Sequence, residues 1–252
     1  MKIPILTVIL FSSVVAYGQL RVTTTIELLR EDCRNANQFL SDGVDSVKLY
    51  KLPGGKLLYA IKPRHAGEWP IIIKNAPIGE YKVHFKNYFG QAIQENITLS
   101  NDSINYIRLC ADSLLGAKQN TLENLAENDS ISVYFHTQGC FHAYAKKITV
   151  TRENEKLIAR YYDVGWKYVK KNRIMTLEFT NEKLSKTVTM TKMQEDAFTR
   201  FENELLHVNL GGCTTVDTYE MKARNLSIKK KDGSCTWLGF QYLSVYLFGT
   251  IK

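Results

Sequence analysis

One short stretch holds the side chains whose types and spacing bear most directly on chemistry. In His136-Thr137-Gln138-Gly139-Cys140-Phe141-His142 a thiol stands two residues from one imidazole and four from another. On an extended strand, residues i and i+2 share a face, so Cys140 and His142 are expected to be neighbours. A thiol beside an imidazole has the makings of a nucleophile and its base, which gives one reading of the chain as a secreted thiol-dependent hydrolase using Cys140 and His142. The competing reading is a structural histidine packed among Phe141 and Tyr144, the commoner outcome, because a Cys and a His alone are no family signature.

A metal site would draw on His136, Cys140 and His142, but zinc needs a further well-placed ligand, and His207 and Cys213 stand at no diagnostic spacing from them. His65 and His84 suggest only surface or edge positions. No Gly-x-Ser-x-Gly elbow, His-Glu-x-x-His pair, phosphate-binding loop or dinucleotide fingerprint occurs in the chain, so those enzyme classes have no support. Asp163 and Glu178 are lone carboxylates on strand-like runs. No cofactor is expected. The basic runs Lys167-Lys170-Lys171-Arg173 and Lys229-Lys230-Lys231 would suit an anionic polymer, with Trp166 and Tyr168 as stacking surfaces; the plainer reading is a strand's wet face. An envelope protein is the other partner considered.

The elements that must position these groups follow from the whole chain of 252 residues, with a formal net charge of +8. Apolar and charged fractions of 44% and 23% are those of a globular protein rather than a disordered one. Lys2, an apolar run from Ile3 to Val15 and the small-x-small pattern Ala16-Tyr17-Gly18 read as a secretory signal peptide over residues 1–18. Its removal would leave +7 on the mature chain, since it carries only Lys2 (8 − 1). No cysteine closes the apolar run, so no lipid-anchor site is expected, and no later run is long enough to span a bilayer. The expected location is secreted or periplasmic. Five cysteines (Cys33, Cys110, Cys140, Cys213, Cys235) in an exported chain should mostly be oxidised, and an odd number leaves at least one unpaired.

Strands are expected over Arg21 to Glu31, from Val47 to Lys51 and over Lys56 to Lys62, with a hairpin at Pro53-Gly54-Gly55 and a loop over Asp32 to Asp45. The stretch Glu68 to Gly90 reads as a hairpin, two strands joined through Asn75-Ala76-Pro77-Ile78-Gly79. Gln91 to Leu99 and Ser103 to Cys110 complete seven strands. The run Pro70-x-x-Ile73…Asn75-x-Pro77-x-Gly79-x-Tyr81-x-Val83-x-Phe85, with Ile97-x-Leu99 and Ile104 to Leu109, resembles the prealbumin-like sandwiches, among them carboxypeptidase regulatory-like and collagen-adhesin B-repeat domains. The resemblance covers about Leu20 to Asp112. It implies a stalk, spacer or attachment module and no catalytic residue. Cys33 and Cys110 are expected to meet if the first and last strands run as antiparallel neighbours.

Ser113 to Asp129 lacks aromatics and reads as a linker or short helix. Beyond it, strands are expected at Ile131 to His136, Lys146 to Arg152 and Leu157 to Val164 (a hairpin around Glu153-Asn154-Glu155), Ile174 to Thr180, and Thr187 to Met190. A helix capped by Thr191 follows, with Glu195 near the capping position and Met193, Phe198, Phe201, Leu205, Leu206 and His207 mostly on one face. Thr215 to Ala223 and Leu226 to Lys231 form a hairpin turning near Arg224-Asn225. A mirror at residue 224 sets Cys213 opposite Cys235. The last segment, with Trp237, Phe240, Leu243 and Leu247, fits a helix or a strand. The blocks around Cys140, Cys213 and Cys235 look like those of bacterial envelope proteins of unassigned activity. The fold class is therefore mainly β: an antiparallel sandwich over 19–112, a linker over 113–129 and an α+β domain over 130–252. The leading functional expectation is an exported envelope protein acting as a non-enzymatic binding or structural module.

Overall fold

The computed structural model describes residues 20–30, 35–39, 46–62, 69–102, 104–116, 119–171, 174–208, 211, 214–234 and 237–250. The signal segment, the 63–67 loop with His65, Arg173, and Cys33, Cys213 and Cys235 lie outside them. The fold is mainly β, with two helices among the described residues. The chain forms two compact units, one of Met1–Lys86 with Ala92–Ala111, the other of Asn87–Gln91 with Asp112–Lys252.

The first unit holds two sheets. In one, β1 (Arg21–Arg30) pairs with β2 (Asn35–Phe39), β5 (Ile71–Pro77) and β8 (Ile104–Cys110). In the other the order is β4 (Lys56–Ile61), β3 (Val47–Lys51), β6 (Gly79–Lys86), β7 (Ala92–Leu99). Period-two alternation gives each sheet an apolar face: Ile26, Leu28, Ile107 and Leu109 in the first, Leu49, Tyr81, Val83 and Leu99 in the second, all buried.

Three expectations are corrected here. The residues read as a loop from Asp32 to Asp45 contain β2. The stretch read as a hairpin is a crossover: β5 pairs with β1, whereas β6 pairs with β3 and β7 in the other sheet. Pro77 has no N–H to give across a hairpin, Ile78 N–H donates to Leu20 O, and Leu52 N–H donates to Glu80 O. Each arm is therefore satisfied by a different neighbour. The first and last strands are neighbours, as expected, but parallel.

The second unit is a six-stranded antiparallel sheet, β12 (Ile174–Thr189), β11 (Lys156–Lys171), β10 (Ala143–Glu153), β9 (Ser130–Gln138), β13 (Val216–Ala223), β14 (Leu226–Asp232). Asn154 and Glu155 turn β10 into β11 with φ of 50° and 64°, the left-handed pair a tight two-residue turn requires. The two strands expected at 174–180 and 187–190 are one, because the residues between them pair with β11 (Val164↔Glu182, Tyr162↔Leu184).

Helices α1 (Lys192–His207) and α2 (Gly239–Phe248) pack on one face of this sheet. Phe135 of β9 stacks on Phe240 at 4.5 Å, and Phe201 stacks on Trp237 at 5.7 Å. Thr191 caps α1, but its N–H donates to Gln194 Oε1 rather than to Glu195, since the capping partner sits three residues on. Phe198, Phe201 and Leu205 are buried, while Met193 is exposed, lying in the first turn before the helix meets the sheet. The described residues of 113–129 form turns and irregular segments, with no helix among them. Leu122 and Leu125 enter the unit's core, and Glu202 accepts from Thr121 N–H at 3.0 Å.

Candidate functional site

The sheet register builds a polar row across four strands at the end where β9 turns into β10. Tyr144 of β10 lies opposite Thr137 of β9, Thr137 opposite Asp217 of β13, and Asp217 opposite Asp232 of β14. Directly opposed residues share a face, with Cβ atoms about 5 Å apart, so the row is contiguous. It stands on the face that carries the helices, where Phe135, on the same strand as Thr137, stacks on Phe240 of α2.

Asp217 and Asp232 are 8% and 3% exposed. Tyr219 Oη donates to Asp217 Oδ2 at 3.4 Å, and Thr137 stands directly opposite Asp217 in the register. Asp217 Oδ1 has no partner among the described residues. Burial, then the facing Asp232 carboxylate, push the Asp217 carboxyl above its ordinary range. Asp232 Oδ1 accepts from Ser234 N–H at 3.0 Å.

Cys140 and His142 stand in the bend between β9 and β10, not on a strand, which corrects the strand-face argument for their proximity. The bend is closed by Gly139 N–H donating to His142 O at 2.9 Å. A Cβ on Gly139 would sit 2.7 Å from His142 Cε1, 3.2 Å from Nδ1 and 2.7 Å from Thr215 Oγ1, so the imidazole lies directly over Gly139. His142 Nε2 is 3.3 Å from Thr137 Oγ1. Cys140 is an exposed free thiol. Phe141 beside it is wholly exposed, and Tyr144, Val216 and Leu238 are exposed apolar side chains.

His136 does not join them. It is buried on β9 one residue from Thr137 and so projects from the opposite face, where its ring meets Trp166 at 4.5 Å and Tyr168 at 6.1 Å. Burial holds it below its ordinary pKa. A metal set of His136, Cys140 and His142 is thus split by the sheet, and no cluster of three His, Cys, Asp or Glu suited to a metal occurs among the described residues. His207 ends α1, its ring 6.4 Å from Phe89, and His84 packs on Tyr50 at 4.6 Å. Asp163 is paired with Lys146 and accepts from Ser185, which keeps its carboxyl below the ordinary range.

The basic runs are split as well. Lys167 and Lys170 are exposed, but Trp166 is packed on His136 and Tyr168 Oη donates to Gln138 Oε1 at 2.7 Å. Lys229 pairs with Glu220 at 2.9 Å, and Lys230 Nζ donates to Leu206 O. Cys110 is disulfide-bonded. The partners assigned from the sequence fall on residues outside the description.

Sequence reasoning missed Thr137, Asp217 and Asp232 as members of the row. One signal was present: in Asp217, Tyr219, Met221 the alternation places a carboxylate in phase with two core residues. Elsewhere in this unit a cleft of about 230 Å³ is lined by residues including Asn120, Arg152, Glu155 and Glu195. It opens at the far end of β10, roughly 30 Å along the strand from His142. No protein-family model, curated protein or solved structure matches this chain. No helix among the described residues is long and apolar enough to cross a membrane.

Proposed function

We propose that this chain is an exported envelope protein with a non-enzymatic role, as a binding or structural module. The observation that carries the reading is the β11–β12 ribbon, two 16-residue strands paired along their length. Exposed Lys167, Tyr168, Lys170, Met175 and Leu184 mark it as a contact surface rather than a catalytic one. Cations beside aromatic and apolar side chains suit an anionic polymer, and the net charge of +8 biases the chain the same way. An acidic envelope protein is the other partner this surface would accept. The signal-like N-terminus supports export, and the prealbumin-like pattern supports a spacer role for the first unit.

The test is retention of the mature chain on an immobilised polyanion across a salt series, beside a Lys167→Glu/Lys170→Glu variant. Binding should weaken as salt rises, and the variant should lose about two counterions' worth of slope. Absent or salt-insensitive retention rejects the polymer.

A second reading, the thiol-dependent hydrolase on Cys140 and His142, draws on the exposed free thiol. The cleft described above lies far from that thiol, which favours the first reading. Trapping an acyl group on Cys140 from an activated ester, and its loss in His142→Ala, would favour the second.

A further inference from the structure

We infer that the end of the second unit where β9 turns into β10 docks on an anionic lipid surface. Phe141, Tyr168 and Met175 enter the boundary between headgroups and acyl chains, and Lys167 and Lys170 meet the headgroups.

The register brings these side chains to one end of the sheet. The last pair between β10 and β11 on this side is Ala145 with Val164. Residues 165–171 of β11 run on past it in the direction of the bend, paired with β12 through Tyr168↔Leu177 and Lys170↔Met175. Tyr168 Oη donates to Gln138 Oε1 at 2.7 Å, which ties this extension to the last residue of β9. Phe141 therefore stands in the bend, with Tyr168 and Met175 on the ribbon beside it.

Packing within the chain does not account for their exposure. Phe141 is 101% exposed, Met175 59% and Tyr168 43%. A ring held wholly in water contributes nothing to the core, and apolar side chains gathered at one exposed end mark a contact surface.

The occupant follows from shape and charge. These side chains project singly from a bend and from a strand pair rather than lining a groove, and the cleft of this unit opens at the far end of β10. A protein partner packs against a contiguous, shape-complementary patch, whereas a fluid bilayer interface closes around separate side chains. Lys167 and Lys170 are exposed. Lys170 stands opposite Met175 rather than an acid, and Lys167 opposite the half-buried Glu178. The nearby acids Asp163 and Glu182 are paired with Lys146 and Lys147, and Asp217 is buried. The exposed charge at this end is thus positive, which selects anionic headgroups. A polyanion would suit the two lysines but offers Phe141 and Met175 nothing apolar to enter. The inference goes beyond the polymer reading, with which it shares those lysines.

The probe is sedimentation of the mature chain with vesicles of phosphatidylglycerol and phosphatidylcholine, beside vesicles of phosphatidylcholine alone. Partition onto the anionic vesicles should be the stronger by about twentyfold, and Lys167→Gln and Lys170→Gln should each weaken it by about fivefold. Phe141→Ser should weaken it by about tenfold, the low end of what burying such a side chain is worth, and should leave retention on an immobilised polyanion unchanged. In Phe141→Trp the new indole should be quenched by bromine atoms carried on the acyl chains, beyond any quenching of the parent chain. Vesicle binding without polyanion retention would support the inference and reject the polymer. Polyanion retention without vesicle binding would overturn the inference and leave the polymer reading standing. Equal partition of Phe141→Ser and the parent chain, or an indole at 141 untouched by the bromine, would overturn it as well.

Discussion

Leu29 on β1 stands opposite Cys110 on β8 in a parallel pair of strands. The direction matters for the disulfide. Two antiparallel neighbours would set the end of β1 against the start of β8, whereas parallel strands bring both C-terminal ends together. Cys110 is disulfide-bonded, and Cys33, the partner expected from the sequence, lies outside the described residues.

Non-reducing peptide mapping should therefore recover Cys110 joined to Cys33, with Cys140 labelled by a thiol reagent. Cys110→Ser should lower the unfolding free energy by about 2–5 kcal/mol, the usual loss when a native bridge is removed from a small domain. Recovery of Cys110 in a bridge to Cys140 would contradict both statements.

The buried carboxylate of Glu204 sets a second prediction. Arg200 holds Glu204 Oε1 and Asp112 Oδ2 at 2.6 Å each, and Trp237 Nε1 donates to Glu204 Oε2 at 2.8 Å. Burial still raises the Glu204 carboxyl above its ordinary 4.5. The folded chain then holds more protons than the unfolded chain between that value and the raised one, so this group's contribution falls as pH rises through the window. Arg200→Met leaves two acids without their cation and should cost about 3–5 kcal/mol. It should also steepen the fall in stability above the ordinary value. Denaturant midpoints across pH measure both, and a variant with an unchanged pH slope would sink the account.

The parts of this fold that could be read from the sequence are those where one local signal decides. Asn154-Glu155 between alternating runs fixes the β10–β11 hairpin, and Arg224-Asn225 fixes β13–β14. Alternation says which face of β5 and β6 is buried but not which strand each will pair with, so their crossing between sheets was hidden. At the second hairpin the register Asp217↔Asp232 centres the mirror at 224.5 rather than 224, and Cys213 and Cys235 lie outside the described residues. The candidate site divides the same way. Cys140 and His142 are visible as residue types, but Thr137 meets Asp217 only because β9 pairs with a strand beyond α1.

The ribbon offers a third prediction. Phe179 of β12 stacks on Tyr134 of β9 at 4.8 Å, and Lys147 lies 4.9 Å over the Tyr134 ring with Glu182 2.8 Å from its Nζ. β9 and β12 are not paired, so these side chains fasten the ribbon to the sheet. Phe179→Ala should cost at least about 0.5–1.5 kcal/mol for the ring pair, beyond the area lost. Hydrogen exchange should quicken over 174–189 while β9 and β13 keep their protection. Unaltered protection in β12 would show that backbone pairing with β11 suffices.

The last prediction concerns the chain segments that precede Cys213 and Cys235, two cysteines outside the described residues. A Cβ on Gly211 would lie 2.4 Å from Ser234 Cα and 2.6 Å from Gly233 O, so two backbones touch there. Backbone atoms cannot rotate aside as a side chain does, and Gly211→Ala must push the chains apart. Gly211 precedes Cys213 by two residues, and Ser234 immediately precedes Cys235. A bridge between them tolerates only a narrow range of Cα separation, usually about 4.4–6.8 Å. Gly211→Ala should therefore slow oxidative closure of Cys213 with Cys235, read as the free-thiol count after refolding in a glutathione buffer. Three labelled cysteines in place of one is the expected result, while Gly233→Ala, whose nearest neighbour would be Gly211 O at 3.1 Å, should have the smaller effect. A single labelled thiol in the Gly211→Ala protein would mean that the close approach is not what sets the pairing.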